Sequence, residues 1–154
     1  MNSIYKRVRR FREKYIDTLE KLYTFSTAFH SIRTFTCWAD SKDKGYTYGE
    51  FKEACDSISK KLSQFGISAG DKIAILSQNM PNWSVAFFSA VPFGRIVVPI
   101  LPDSSENEVT NILNHSESKV LFVSKRLLPK VSQECIDKLT LVIDIETFEV
   151  LKAD

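Results

Sequence analysis

The chain has 154 residues, enough for one domain with a real core. Its 44% apolar and 26% charged residues are ordinary for a folded globular chain, which excludes disordered, collagenous and disulfide-scaffold classes. The net charge is +2, but residues 1–14 carry Lys6, Arg7, Arg9, Arg10, Arg12 and Lys14 against Glu13 alone. That segment is +5, so residues 15–154 carry −3 and the basic character belongs to an N-terminal arm.

Taken in chain order, Ile4, Val8, Phe11, Tyr15, Leu19 and Leu22 recur at steps of three or four. This predicts an amphipathic helix over 1–22 with a basic face, and a division between that arm and an α/β domain over 23–154. Phe25, Phe29 and Ile32 extend or follow the helix. Phe35–Trp38 is a strand candidate, 41–45 a polar turn, and Tyr46–Tyr48 a short extended piece of strong β formers.

A second helix places Phe51, Ala54, Cys55, Ile58, Leu62 and Phe65 on one face, with Gly66 where a left-handed residue ends it. Gly70-Asp71 is a turn, and Ile73-Ala74-Ile75-Leu76 is an unbroken apolar run, as in a strand covered on both faces. Pro81 suits the first turn of a helix over about 82–93, with Pro92 distorting its end and Gly94 closing it. Ile96–Ile100 is a second buried strand, in which Pro99 demands an edge or an ending.

Ser105-x-x-Glu108 is a capping box for a helix that turns Val109, Ile112 and Leu113 inward. Val120–Val123 is a third strand, 125–136 a helical stretch interrupted by Pro129, and Leu141–Ile143 a fourth strand. The alternation predicts an α/β fold, a parallel sheet built from βαβ units with right-handed crossovers. Residues 146–154 show no partner within the chain.

The search for chemistry finds little. Neither a G-x-G-x-x-G nor a G-x-x-x-x-G-K-[ST] phosphate loop occurs, and each of the five glycines suits a turn or helix end. His30 and His115 have no neighbour at metal-ligand spacing; His115 suits a helix C-terminus. Glu106 and Glu108 read as first-turn helix residues. Cys37, Cys55 and Cys135, odd in number and unframed, read as buried reduced thiols. Trp83 reads as a core or interdomain anchor, and the helix around Phe87 and Phe88 as buried on nearly all sides. We therefore expect no catalytic, cofactor-binding or metal-ligating residue in this chain.

No apolar segment follows the basic start, and the longest apolar run is broken by Pro92, Gly94, Arg95 and Pro99, so we expect neither a signal peptide nor a membrane span. A reducing cytoplasm is the expected compartment. The basic arm reads first as a solvated helix, second as a contact with an anionic membrane surface, and last as a nucleic-acid binder, which no recognition motif supports.

The ordered pieces Tyr46-Thr47-Tyr48-Gly49-Glu50-Phe51, Leu62, Gly66-Ile67, Gly70-Asp71-Lys72-Ile73-Ala74-Ile75-Leu76 and Asn79-x-Pro81-Asn82-Trp83 resemble the N-terminal region of adenylate-forming enzymes, the AMP-dependent synthetases and ligases. Gly94-x-Ile96-Val97-Val98-Pro99-Ile100 and Ile112-Leu113-Asn114-His115-Ser116 continue the resemblance, which covers residues 18–124. The Asn-x-Pro-x-Trp piece and the Pro99-x-x-Pro102 loop look most like the long-chain fatty acid–CoA ligase branch.

The resemblance implies an incomplete N-terminal subdomain of an acetyl-CoA-synthetase-like fold. It implies a parent enzyme that uses ATP, Mg²⁺ and coenzyme A to convert a carboxylate into acyl-adenylate and then a thioester. The family's phosphate loop and its later motifs have no counterpart here, so no catalytic residue carries over. The expected partners are a fatty acid or other carboxylate, the rest of a ligase chain and a second copy. The chain alone is expected to be inactive. The competing reading is a non-catalytic interaction or assembly module; within the enzyme class, a ligase for aromatic, medium-chain or short acids stays open.

Overall fold

The computed structural model describes residues 16–39 and 41–154. Most of the basic arm therefore lies outside the described residues. The first described helix, α1 (Leu19–Phe29), is capped by Thr18, whose side chain accepts from the Lys21 amide. It runs unbroken through residues 22 and 23, where the sequence pattern divides arm from domain. It buries Tyr23 and Thr27, whereas Leu19 and Leu22, expected inward, are exposed. Tyr23 wins the inward position because its hydroxyl can donate to Asp56 at 2.9 Å while its ring packs edge-on to Phe51.

A hairpin follows, β1 (Thr34–Trp38) and β2 (Ser41–Thr47), paired antiparallel. The polar segment 41–45, expected as a turn, is thus strand. Helix α2 (Tyr48–Gln64) opens on a capping box between Thr47 and Glu50 that the periodicity alone does not reveal. It closes as a Schellman motif: Gly66, at φ +74°, donates to Ser63 O, and Ile67 donates to Leu62 O at 3.0 Å. Leu62 and Ile67 are both buried, so the hydrophobic contact of that motif is made as well.

The five-stranded sheet has the order β4-β3-β5-β6-β7. Strands β3 (Lys72–Leu76), β4 (Ile96–Ile100), β5 (Val120–Val123) and β6 (Leu141–Asp144) are parallel. The sheet places β4 at an edge, as Pro99 requires, but β4 is only half-buried and Ile96 is 49% exposed. The strand expected to be buried is open because no described strand pairs with its outer side. Strand β7 (Val150–Ala153) pairs antiparallel with β6, so the C-terminal residues do have a partner within the chain.

Alternation along the strands divides the core in two. Ile73, Ile75, Val120, Phe122, Leu141 and Ile143 face α1, α2 and α3 (Pro81–Phe88). Ala74, Leu76, Leu121, Val123 and Val142 face α4 (Glu106–Ser116) and α5 (Gln133–Lys138). The expected α/β fold is therefore present as three layers, helix on sheet on helix. The helix expected over 82–93 ends at Phe88, and Val91–Phe93 is a separate 3₁₀ turn closed by Gly94 at φ +79°. Pro92 accounts for that break, since it removes an amide donor. Pro129 has the same effect: Leu128–Lys130 is a 3₁₀ turn ahead of α5.

Arg95 joins the layers on the first face. It is 6% exposed, and its guanidinium donates to Ser59 Oγ (2.8 Å), Ser63 Oγ (2.7 Å), Ile67 O (3.0 Å) and Ser89 O (3.2 Å). No carboxylate bonds it directly among the described residues; burial pulls its pKa down, and Asp71 opposes that from a distance. It is a staple between α2, the loop after it and the end of α3.

Candidate functional site

In an open parallel sheet, ligands settle outside the carboxyl ends of the strands where the chain reverses direction across the sheet. Here that point lies between β3 and β5. The chain leaves β3 over one face to reach β4, then crosses the other face by α4 to reach β5. The first residues past each strand are polar: Ser77 after β3, Ser124 after β5, and Asp144 ending β6. All three are buried.

Each of these groups has a neighbouring partner. Ser124 Oγ donates to Gln78 Oε1 at 3.0 Å across the reversal point, and the Ser124 amide donates to Leu76 O at 3.2 Å. Ser77 Oγ donates to Gln78 O. Asp144 Oδ1 accepts the Glu146 amide at 2.8 Å. Its Oδ2 has no hydrogen bond but lies 3.4 Å from the half-exposed Lys125 ammonium, so the buried charge is paired.

Beside this row lies a cleft of about 550 Å³ lined by Trp38, Tyr46, Gln78, Met80, Pro81, Asn82 and Glu146. Its floor is a fixed relay. Tyr46 OH donates to Asn82 Oδ1 at 2.7 Å, and Asn82 Nδ2 donates to Ile145 O and Glu146 O. Burial raises the Tyr46 pKa, with Cys55 and Glu50 adding to it, so the phenol stays protonated. A neighbouring cleft of about 390 Å³ shares Trp38, Met80 and Pro81 and adds Cys37 and Trp83. Trp83 stacks on Phe87 with ring centroids 5.5 Å apart, an anchor at the cleft wall as its size suggested.

The residues that the sequence singled out do not converge here. Cys55 is fully buried, and burial, then Asp56, pushes its thiol far up, so it is inert. Cys135 is buried against the opposite face. Cys37, expected buried, is exposed: it lies beyond Phe35, through which the hairpin packs on Phe51, next to an irregularity in the β1–β2 register. His115 occupies the last turn of α4, and Glu108 accepts the Ser105 amide in the capping box at the other end of that helix. His30 is the C-cap of α1. Among the described residues, no group of three His, Cys, Asp or Glu side chains could hold a metal ion.

The polar row itself was missed in the sequence, although its signal was present. Each member is the first hydrophilic residue after an apolar strand run, which is where the carboxyl end of a parallel strand must lie. Chemically the row is hydrogen-bonded except at Asp144 Oδ2, which faces an ammonium instead. Lys125 is paired with Asp144, and among the described residues no acidic cluster accompanies them, so this row does not fit a triphosphate with its Mg²⁺. Fold and site together define a doubly wound sheet whose carboxyl edge carries paired polar side chains beside an open cleft.

Comparison with known proteins names the family. The model for the AMP-binding enzyme family matches residues 26–154, and the chain belongs to that family. It is 30% identical over 96 residues to fatty acyl-CoA synthetase A of Dictyostelium discoideum, a match covering 60% of this chain and 14% of that protein. It is 33% identical over 85 residues to a long-chain-fatty-acid–CoA ligase of Thermus thermophilus, covering 55% and 16% respectively. Its fold is similar to that of an anthranilate CoA ligase crystallised with anthranoyl-AMP: TM-score 0.74, 19% identity, 82% of this chain and 24% of that one. The chain thus spans less than a quarter of the length of these proteins. The expected kinship with adenylate-forming enzymes is borne out, and so is the fold.

Proposed function

We propose that this chain is the N-terminal scaffold of an acid–CoA ligase. The parent enzyme would activate a carboxylate with ATP as an acyl-adenylate and pass the acyl group to coenzyme A. The reading rests on one observation: a family match over residues 26–154 falls on a sheet whose carboxyl edge carries two separate pairs, Gln78 with Ser124 and Lys125 with Asp144. A scaffold needs that edge satisfied, whereas a nucleotide site needs donors left open. The chemistry then belongs to other parts of the ligase, which supply the phosphate loop, the Mg²⁺ ligands and the coenzyme A site.

A long-chain fatty acid is the proposed substrate class. The Asn79-x-Pro81-Asn82-Trp83 piece supports it, as do the fatty acyl-CoA synthetase and long-chain ligase among the relatives. Likeness to an anthranilate ligase keeps aryl acids as the rival. Fatty-acid-dependent ATP–pyrophosphate exchange by the 154-residue chain should be undetectable, and measurable turnover would overturn the scaffold reading. Sequence following Asp154 in the gene should encode a Ser/Thr/Gly-rich phosphate loop; a reading frame that stops there refutes the ligase reading.

A further inference from the structure

The hairpin that joins β6 to β7 is strained at its turn and held there by side chains of three other elements. Phe148 has φ +59°, a left-handed conformation that a bulky side chain adopts only under restraint. Lys61 Nζ, on α2, supplies one restraint: it donates to Phe148 O at 2.8 Å, a charge-assisted bond. The Phe148 ring supplies another, lying edge-on to the buried Phe122 of β5 with centroids 6.3 Å apart. Asn82 Nδ2, at the start of α3, donates to Glu146 O at 2.9 Å. Strand β7 itself contributes little. Three of its four residues are exposed, Lys152 is half-buried, and its pairing with β6 is irregular between Val142 and Ile143. A short segment with few buried contacts belongs at the low-stability end of a fold.

We infer that residues 146–153 are a strap, a unit that swings away from β6 while the rest of the sheet stays folded, with the Lys61 ammonium as its latch. Closed, the strap occupies polar groups at the carboxyl edge. The Glu146 amide donates to Asp144 Oδ1 at 2.8 Å, and the Glu146 carbonyl takes one of the Asn82 donor bonds. Glu146 and Asn82 both line the cleft of about 550 Å³. Opening therefore moves one wall of that cleft and frees an acceptor on Asp144 and a donor on Asn82. The hinge falls after Ile145, because that residue is fully buried and its amide donates to Val123 O at 3.0 Å. The left-handed turn favours opening, whereas the latch and the Phe122 contact favour closure, so the balance moves without any change in the parallel strands. The inference concerns this hairpin alone and stands whether or not the ligase reading does.

The test is native-state amide hydrogen exchange, followed residue by residue by NMR on the 154-residue chain. The amides of Asp144, Glu146 and Phe148, which donate to Glu149 O, Asp144 Oδ1 and Asp144 O, report the strap. Those of Ile75 and Phe122, in strands paired on both sides, report the sheet. Corrected for intrinsic rates, the strap amides should exchange together and roughly a hundredfold faster than the sheet amides. Lys61→Met keeps the apolar stem and removes the donor; it should speed the strap amides by about tenfold and leave Ile75 and Phe122 unchanged. Lys60→Met, at the neighbouring exposed position of α2, should change neither set. Strap amides no faster than the sheet amides would overturn the proposal. So would a Lys61→Met variant that speeds both sets equally or leaves the strap as it was, or a Lys60→Met variant that speeds the strap as much.

Discussion

Replacing Arg95 by Met tests how the first face of the sheet is held. The substitution keeps an unbranched stem as far as the position of Nε and removes every donor. Among the hydrogen bonds described, Arg95 supplies the only donor to Ile67 O and to Ser89 O, at 3.0 and 3.2 Å. A buried acceptor left without a partner costs about 1–3 kcal/mol, so stranding two costs about 2–6 kcal/mol. Opposing this, the variant no longer buries a cation, whose desolvation already pulls the Arg95 pKa down. The Ser59 and Ser63 hydroxyls can re-aim, so they add little. We expect a net loss of about 3 kcal/mol. For a chain of this size each kcal/mol moves the melting temperature by about 3 °C, so calorimetry should show a fall of about 9 °C. Arg95→Lys should fall between, because one ammonium cannot span acceptors on α2 and α3 together. A melting temperature for Arg95→Met within about 2 °C of the parent would refute the argument. It would mean that relief of desolvation matches the lost bonds.

The Asp71 carboxylate bonds Lys119 at 2.7 Å and accepts the Ser68 amide at 2.8 Å, and these, in that order, hold its pKa below the usual range. Its contribution is therefore present above about pH 4 and lost as pH falls through the depressed folded value. Asp71→Asn should cost about 0.5–1 kcal/mol at pH 7, kept small by the half-exposed lysine, and nothing in strong acid; urea melts at the two pH values decide it. Thr47→Ala removes the cap of α2 and should cost about 1 kcal/mol by urea denaturation. Glu117 is the left-handed C-cap of α4 at φ +53°, so Glu117→Gly should raise the melting temperature by a few degrees, about 1 kcal/mol.

Long-range order was legible wherever burial imposed a period. Ile73–Leu76 and Val120–Val123 are apolar on both faces because helices cover both, and no other placement suits such runs. Legibility failed where the determinant was a turn without turn residues. Strand β7 follows a bend in which Phe148 takes φ +59° and its amide donates to Asp144 O, while Lys61 Nζ holds Phe148 O at 2.8 Å. Phenylalanine announces no left-handed turn, and its partner Lys61 lies far away in sequence on helix α2. Strand β2 failed for the opposite reason: it lies in a hairpin outside the main sheet, so its first residues carry no alternation. Arg95 read as an interruption in an apolar stretch because its acceptors on Ser59, Ser63 and Ile67 lie about thirty residues earlier.

The same reasoning explains why the polar row at the carboxyl edge is a poor place to look for catalysis. A reacting group must be free to exchange partners with substrate, at a cost no greater than the bond it gives up. The buried Ser124 hydroxyl is bonded to the half-buried Gln78, and Asp144 spends one oxygen on the Glu146 amide and faces Lys125 with the other. Drawing Gln78 toward a ligand would leave the buried Ser124 hydroxyl without its acceptor, at about 1–3 kcal/mol. Tyr46 and Asn82 are tied to the backbone of residues 145 and 146 in the same way. These side chains fix where strands β3, β5 and β6 end relative to one another.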